Sequence, residues 1–326
     1  MPSASGPTEV TAPAGRAGWA GTPGTREAHE LHVEFVNVFS LAGQPFSGNP
    51  LAVVTDAAAL ETSTMLALAR QFNLSETTFV TDIEGAQAAV RIFTPTVELP
   101  FAGHPTLGTA AVLGEAASRG QSHAGDHIVL RLPAGDIPVT RDHAGYWRLV
   151  AVPGPIVAHV AGRDDLASML QLPQDAIVGG WRVAAGVEQV LVQVTSPAAV
   201  RQAGAAVEDL VRWGRCSSGE SLVYVWAFGD GVVDHAGVGS SDVREVTARL
   251  FFTQDTVVAE DPATGSAAAN LGTLLAERGS SGRLEIRQGD QVARPSLLRV
   301  DYAPGTVGVA GLVHRVGHAV VTVPRD

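Results

Sequence analysis

Glu98-Leu-Pro-Phe-Ala-Gly-His104 and Glu260-Asp-Pro-Ala-Thr-Gly-Ser266 are the two stretches on which the fold turns. They align without a gap at an offset of 162 residues, and Glu, Pro and Gly match at identical spacing. Each leads into a run without a single charge, from Pro105 to Leu113 and from Ser266 to Ala276. A helix that is small or apolar on every side is buried all round rather than laid on a surface. Pro105 suits the first helical position, where a missing N–H costs nothing. Two such units at a fixed period describe a duplicated chain with one buried helix in each half.

Short strands surround both helices. In the first half, residues 33–39 alternate and are β-branched, and Gly48-Asn49-Pro50 turns the chain into an apolar strand from Leu51 to Val54. Thr62–Phe72 places Met65, Leu68, Ala69 and Phe72 on one helical face and stops at Asn73. Strands are expected at Thr77–Thr81, Ala88–Phe93, Ile128–Leu132, Ile137–Thr140 and Trp147–Val150. The second half repeats the theme at Val183–Ala185, Val190–Val194, Leu222–Phe228, Ala248–Phe252 and Thr256–Ala259. It closes with Leu284–Arg287, Leu297–Asp301, Val307–Val313 and Ala319–Val323. Many strands with one buried helix per half make an α+β chain rather than an alternating one. Pro153-Gly154-Pro155 marks the neighbourhood of the crossing between halves.

Composition narrows the function. The 326 residues are 45% hydrophobic and 17% charged, enough apolar material for a large core. A formal net charge of −11 argues against a nucleic-acid partner, which needs a basic face. No apolar run reaches the length of a membrane span, so a soluble globular protein is expected. The one cysteine, Cys216, can form no internal disulfide or CxxC pair, which fits a reducing, cytoplasmic setting. The ten histidines show no HxxxH or HExxH spacing, so no metal site is expected. Residues 1–30 are rich in Gly, Ala, Pro and Thr without periodicity and read as a disordered leader.

The helix starts are the candidate site. A first helical turn exposes unpaired N–H groups with partial positive charge, and Gly103 and Gly265 let a ligand approach the backbone closely. Facing one another, they would cradle a carboxylate or an enolate oxygen. On backbone grounds alone, two core helices capped by convenient glycines are the better explanation of the pattern. Three side chains favour a site: His104 at one start, Asp261 before the other, and Glu76 in the polar patch Asn73-Leu-Ser-Glu-Thr-Thr-Phe79. Two carboxyl groups facing across a cleft cannot both ionise easily, and the one that keeps its proton near neutrality can move protons to and from carbon. Neither helix start carries a cysteine, which excludes two-thiol racemisation. Cys216, remote from both in sequence, reads as an ordinary, partly buried thiol.

Five motifs in order resemble the phenazine-biosynthesis PhzF-like proteins: Phe46-Ser-Gly-Asn-Pro-Leu-Ala-Val-Val54, Asn73–Phe79, Arg91-Ile-Phe-Thr-Pro95, Glu98–Pro105 and Glu260–Ala267. Gly289-Asp-Gln-Val-Ala-Arg-Pro-Ser296 is similar to the family's closing segment, with Ala293 where Gly is usual. The resemblance covers about residues 31–323. It implies the diaminopimelate-epimerase-like fold: two pseudo-symmetric domains, each a curved, mostly antiparallel sheet or barrel around a central helix. Residues 31–150 and 151–313 would form the two domains, with a final strand near 314–326 returning to the first. It also implies a homodimer, no cofactor, and a cleft that takes a small cyclic or unsaturated carboxylate. By the same resemblance Glu76 is the general acid/base that isomerises trans-2,3-dihydro-3-hydroxyanthranilate. His104, Asp261 and Ser266 assist, with Asn49, Gly103 and Gly265 lining the substrate. The same scaffold in some antibiotic pathways looks like a C–C bond hydrolase, so hydrolysis in the same cleft and non-catalytic binding of a small molecule are the two alternatives for this chain.

Overall fold

A computed structural model of the chain describes residues 28–118, 125–158, 160–229, 243–254 and 257–324. The expected leader lies outside the described residues up to position 27. Residues 28–30 correct it, because they already belong to the first strand, opposite Pro324, Val323 and Thr322.

The first half contains β1 (Ala28–Ser40), β2 (Asn49–Val54), α1 (Thr62–Phe72), β3 (Thr77–Glu84), β4 (Gln87–Phe93), β5 (Glu98–Leu99), α2 (Gly103–Ser118), β6 (His127–Leu132), β7 (Gly135–Arg141) and β8 (Trp147–Ala151). The second contains β9 (Ile156–Ala158), α3 (Arg163–Leu170), β10 (Ile177–Ala185), β11 (Val187–Val194), α4 (Pro197–Gln202), α5 (Val207–Trp213), β12 (Leu222–Phe228), β13 (Val243–Gln254), β14 (Val257–Asp261), α6 (Gly265–Glu277), β15 (Gly282–Gln288), β16 (Ser296–Ala303) and β17 (Thr306–Pro324).

The duplication is written in the strand pairings. In the first half β1–β2 is antiparallel, β2–β3 parallel, β3–β4 and β4–β5 antiparallel, β4–β6 parallel, and β6–β7 and β7–β8 antiparallel. From β10 onward the second half repeats every step. Here β10–β11 is antiparallel, β11–β12 parallel, β12–β13 and β13–β14 antiparallel, β13–β15 parallel, and β15–β16 and β16–β17 antiparallel. The buried helix follows the short strand each time, so α2 corresponds to α6 and β5 to β14. This is the α+β architecture expected, with a curved mixed sheet around a central helix in each half.

β17 belongs to both halves. Its first residues lie between β16 and β8, pairing Val309 with Val300 on one side and Leu149 on the other. From Leu312 onward it pairs with β1, which closes the first half into a ring. Among the described residues no strand closes the second half in the same way, and β9 covers its β10 edge instead. The sequence reading split β17 into two strands at His314–His318. The run is polar enough to look like a turn, yet it pairs with β1 through a bulge at Phe35/Val36.

Both central helices are packed on all sides. α2 starts two residues earlier than expected, at Gly103, so Pro105 is its third residue. It remains in the first turn, whose N–H groups have no partner inside the helix. Leu107, Ala110 and Ala111 of α2, and Ala267, Ala268, Leu271 and Leu275 of α6, join a single core that runs through both halves. One buried helix per half holds, and outside it α1 occupies the expected Thr62–Phe72, whereas α3, α4 and α5 add an outer layer that was not expected. α1 covers the first half through Met65 and Leu68, over Leu31, Val54, Phe79 and Phe93. α3, α4 and α5 cover the second, with Leu166, Leu170, Val200 and Leu210 against Val192, Val223 and Phe251.

Candidate active site

The two helix starts meet. A Cβ on Gly103 would lie 3.6 Å from the backbone nitrogen of Ser266, and one on Gly265 would lie 3.8 Å from Cα of Gly103. The tighter constraint on Gly265 is Phe39, whose Cζ would be 3.1 Å from such a Cβ. Phe39 stands at a bulge of β1 with φ of 61°, a left-handed conformation that costs a non-glycine residue energy. That bend drives a fully buried ring from the first half against the helix start of the second.

β2 and β3 run parallel from the same edge, so their first residues arrive together beside α2. Glu76 immediately precedes β3, after Asn73 has ended α1 in the left-handed conformation. Its Oε2 is 3.6 Å from Nε2 of His104, beyond hydrogen-bond reach. Both atoms are enclosed and without a hydrogen-bond partner among the described residues. The Glu76 side chain is 18% exposed, so it reaches solvent only at the remainder of its surface.

His104 is oriented by the Pro50 carbonyl, which accepts from its ring. Nε2 of His104 has no hydrogen-bond partner among the described residues and lies toward Glu76. Burial pushes the imidazole pKa from 6.5 down to about 3, against a smaller upward pull from the Pro50 hydrogen bond. Burial likewise raises Glu76 from 4.5 to about 8, with further increments from the charges of Asp261 and Glu220. Near neutrality the pair is therefore a protonated carboxyl beside a neutral imidazole, not an ion pair.

Asp261 comes from the other half, at the end of β14. Burial raises its pKa from 3.8 to about 6, with hydrogen bonds from Thr264 and Asn49 opposing that rise. Asn49 Nδ2 donates to Asp261 Oδ1 at 2.9 Å and to the Ala263 carbonyl at 3.0 Å, crossing from the first half to the second. The Thr264 hydroxyl donates to Asp261 Oδ2. Gln288 Nε2 donates to the Asp261 carbonyl at 2.8 Å, which holds the backbone there. Ser266, in the first turn of α6, accepts from Gln189 Nε2 at 2.8 Å.

The segment Gly289–Ser296 clamps this arrangement. Arg294 donates to the Gly48 carbonyl at 2.9 Å and to Asn37 Oδ1 at 2.6 Å, while the Gly48 N–H donates to Pro295. Gly48 has φ of 84°, and a Cβ there would lie 2.4 Å from the Val38 carbonyl, so no other residue fits. The clamp sets Asn49 one residue later against Asp261.

The structure thus brings Glu76, His104, Asn49, Gly103, Asp261, Gly265 and Ser266 to one meeting point of the two halves. Thr264, Gln288, Gln189 and the Pro50 carbonyl were not foreseen. Thr264 and Gln288 could have been suspected as polar residues flanking Asp261 and Gly289, whereas a backbone carbonyl has no sequence signal. Cys216 is buried, and its thiol is pushed up to about 11, chiefly by burial, so it stays protonated. Its loop nonetheless approaches the cleft, because Glu220 is among the charges that act on Glu76. Among the described residues no group of three His, Cys, Asp or Glu side chains could hold a metal ion, and no helix is long and apolar enough to cross a membrane.

Two matching halves around buried helices, with ionisable side chains collected where the helices begin, make up the diaminopimelate-epimerase-like fold. The phenazine biosynthesis-like protein family model matches residues 36–323, and the chain belongs to that family. An uncharacterized isomerase of Pasteurella multocida is 36% identical over 301 residues, covering 89% of this chain and 93% of that one. Trans-2,3-dihydro-3-hydroxyanthranilate isomerase of Pseudomonas chlororaphis is 35% identical over 272 residues, covering 81% and 88%. The crystal structure of a PhzF-family phenazine biosynthesis protein from Bacillus anthracis superposes with a TM-score of 0.75 at 20% identity, covering 90% of this chain and all of the other.

Proposed function

We propose that this isomerase moves a proton between carbons of a small cyclic or unsaturated carboxylate, of the kind named in its trans-2,3-dihydro-3-hydroxyanthranilate isomerase relatives, without a cofactor. The observation that carries the reading is the buried carboxyl pair, Glu76 from one half and Asp261 from the other, at the meeting of two helix starts. Glu76, raised to about 8, lies close enough to neutrality to be found in both protonation states. A single group that takes a proton at one carbon and returns it at another needs that property. Asp261 ionises first, and its charge helps keep the proton on Glu76. The amides at Gly103 and Gly265 and the Ser266 hydroxyl hold the substrate carboxylate, and the His104 Nε2 lone pair accepts a hydrogen bond from the substrate or from Glu76.

The test is to incubate the protein with trans-2,3-dihydro-3-hydroxyanthranilate in D₂O and follow product mass and deuterium position. An isomer of unchanged formula with deuterium at carbon is expected. Water addition with cleavage of a C–C bond, or no conversion, would overturn the assignment. The reading also takes the chain as a cytoplasmic homodimer, which light scattering of the purified protein checks by mass.

A further inference from the structure

Resting on that reading, we infer that Gln189 and Asn270 are positioning residues that fix which way the Ser266 hydroxyl points its hydrogen. Two backbone groups at one end of this chain of hydrogen bonds have no choice of role. The Ala185 N–H can only donate, and it donates to Asn270 Oδ1 at 2.6 Å. The Val187 carbonyl can only accept, and it accepts from Asn270 Nδ2 at 2.9 Å. These anchors settle the orientation of the Asn270 amide without any appeal to side-chain assignment.

The rest follows in sequence. Asn270 Nδ2 also donates to Gln189 Oε1 at 2.6 Å, so the Gln189 oxygen faces Asn270 and its NH₂ faces Ser266. Gln189 Nε2 donates to Ser266 Oγ at 2.8 Å. The hydroxyl already accepts on the protein side, and no described residue accepts its hydrogen. Ser266 is therefore set as a donor toward the cleft, the polarity an anionic oxygen requires. Asn270 and Gln189 are both buried, so the relay does not exchange partners with water.

The other half supplies the control. Register places Leu51 of β2 where Gln189 stands in β11, since Val53 pairs with Thr78 as Leu191 pairs with Tyr224. The offset of 162 places Gly108 of α2 where Asn270 stands in α6. Those two residues pack directly on each other: a Cβ on Gly108 would lie 2.5 Å from Leu51 Cδ2. A leucine on a glycine is thus sufficient to seat a central helix against this strand. Seating the helix does not by itself require the polar pair of the second half, which is aimed at Ser266.

The experiment is a double-mutant cycle with two probes, 3-hydroxyanthranilate and its neutral carboxamide, bound by the full chain and measured by calorimetry. Wild type is expected to favour the carboxylate by about tenfold or more, because a fixed donor contributes roughly 1.5–3 kcal/mol to a charged acceptor. S266A should remove most of that preference; if it does not, the carboxylate is not held by Ser266 and the functional reading above fails at this residue. Q189L, which places leucine where the first half has one, should reduce the preference several-fold, and S266A/Q189L should match S266A alone. Losses from S266A and Q189L that simply add, or a Q189L variant with undiminished preference, would overturn the positioning role while leaving the site reading intact. Thermal melting monitors folding throughout, and Q189M carries the same cycle should Q189L fail to fold.

Discussion

The first half begins its central helix on a histidine and walls it with Leu51 and Val38, whereas the second begins on a serine and holds it with Gln189 and Asn270. The strand pairings are the same, so the difference is not one of fold. It separates two kinds of residue within the repeat itself. The matching glutamates do the same structural work in each half. Glu98 takes a two-pronged bond from Arg91 at 2.7 and 2.6 Å, and Glu260 takes one from Arg249, closest at 2.6 Å, each between a short strand and its long neighbour. Among the positions that differ, Leu99 packs against the core where Asp261 carries a carboxyl group, and His104 stands where Ser266 carries a hydroxyl. The matching glutamates belong to the scaffold, whereas the matching glycines and the divergent His104, Asp261 and Ser266 meet at the site.

The sharpest way to break that comparison is to remove a divergent group. E76Q keeps the shape of the side chain and removes its ability to take a proton. It should lower kcat by about 10³-fold with ligand binding retained, measured as steady-state turnover beside calorimetric affinity. Full activity in E76Q would return Glu76 to the status of a buried polar residue.

Removing a shared group should affect folding more than catalysis, and unequally in the two halves. The Arg249–Glu260 side chains are 10% and 7% exposed, against 28% and 31% for Arg91–Glu98. Breaking the buried pair with E260A leaves an uncompensated guanidinium and should cost about 3 kcal/mol of unfolding free energy. E98A, screened by solvent, should cost less than about 1 kcal/mol. Urea denaturation of both variants reads the contrast, and equal losses would remove it.

The smallest effect is on pH dependence. Glu76 is raised from 4.5 to about 8, so its stability contribution is complete below the lower value and is lost as pH rises through the higher one. Asp261 acts in the same sense between 3.8 and about 6. His104, depressed from 6.5 to about 3, acts oppositely: its contribution is complete above 6.5 and is lost as the medium is acidified. Taken together, the three place the maximum at about pH 4, with melting temperature falling on the acid side through His104 and on the alkaline side through Asp261 and Glu76. E76Q should flatten the decline between pH 4.5 and about 8, and D261N the narrower one between 3.8 and about 6, with E76Q giving the larger change. A Tm profile of E76Q parallel to wild type would show that Glu76 is not shifted.

Much of this was legible in the sequence because burial on all sides leaves a distinct signature. The charge-free runs behind Gly103 and Gly265 announced the central helices, and period-two alternation found most strands. The outer helix α1 was legible but α3, α4 and α5 were not, although Ser196-Pro197 carried a start signal: the Ser196 hydroxyl caps Ala199 and proline opens α4. Glu76, His104 and Asp261 stood out as ionisable groups beside apolar runs. The relay through Gln189 and Asn270 did not, because its members are 81 residues apart and meet only when the sheet curves. Nor could sequence show that His104 and Glu76 would rest uncharged together, since that depends on how completely the two halves shut out water.

β17 carries one more consequence. β1 finds β2 on one edge almost at once, but its other edge pairs with β17, placing Ala28 beside Pro324, and must wait for the described strand farthest from it in sequence. The half that leaves the ribosome earliest is therefore the half completed latest, and the second half can assemble its sheet while the first still has an open seam. A nascent chain arrested before Thr306 should expose β1 to protease while the strands β10 to β16 are already protected. Because the two ends of the ribbon lie side by side, a short linker across them with new termini elsewhere should give a circular permutant in which that order is reversed.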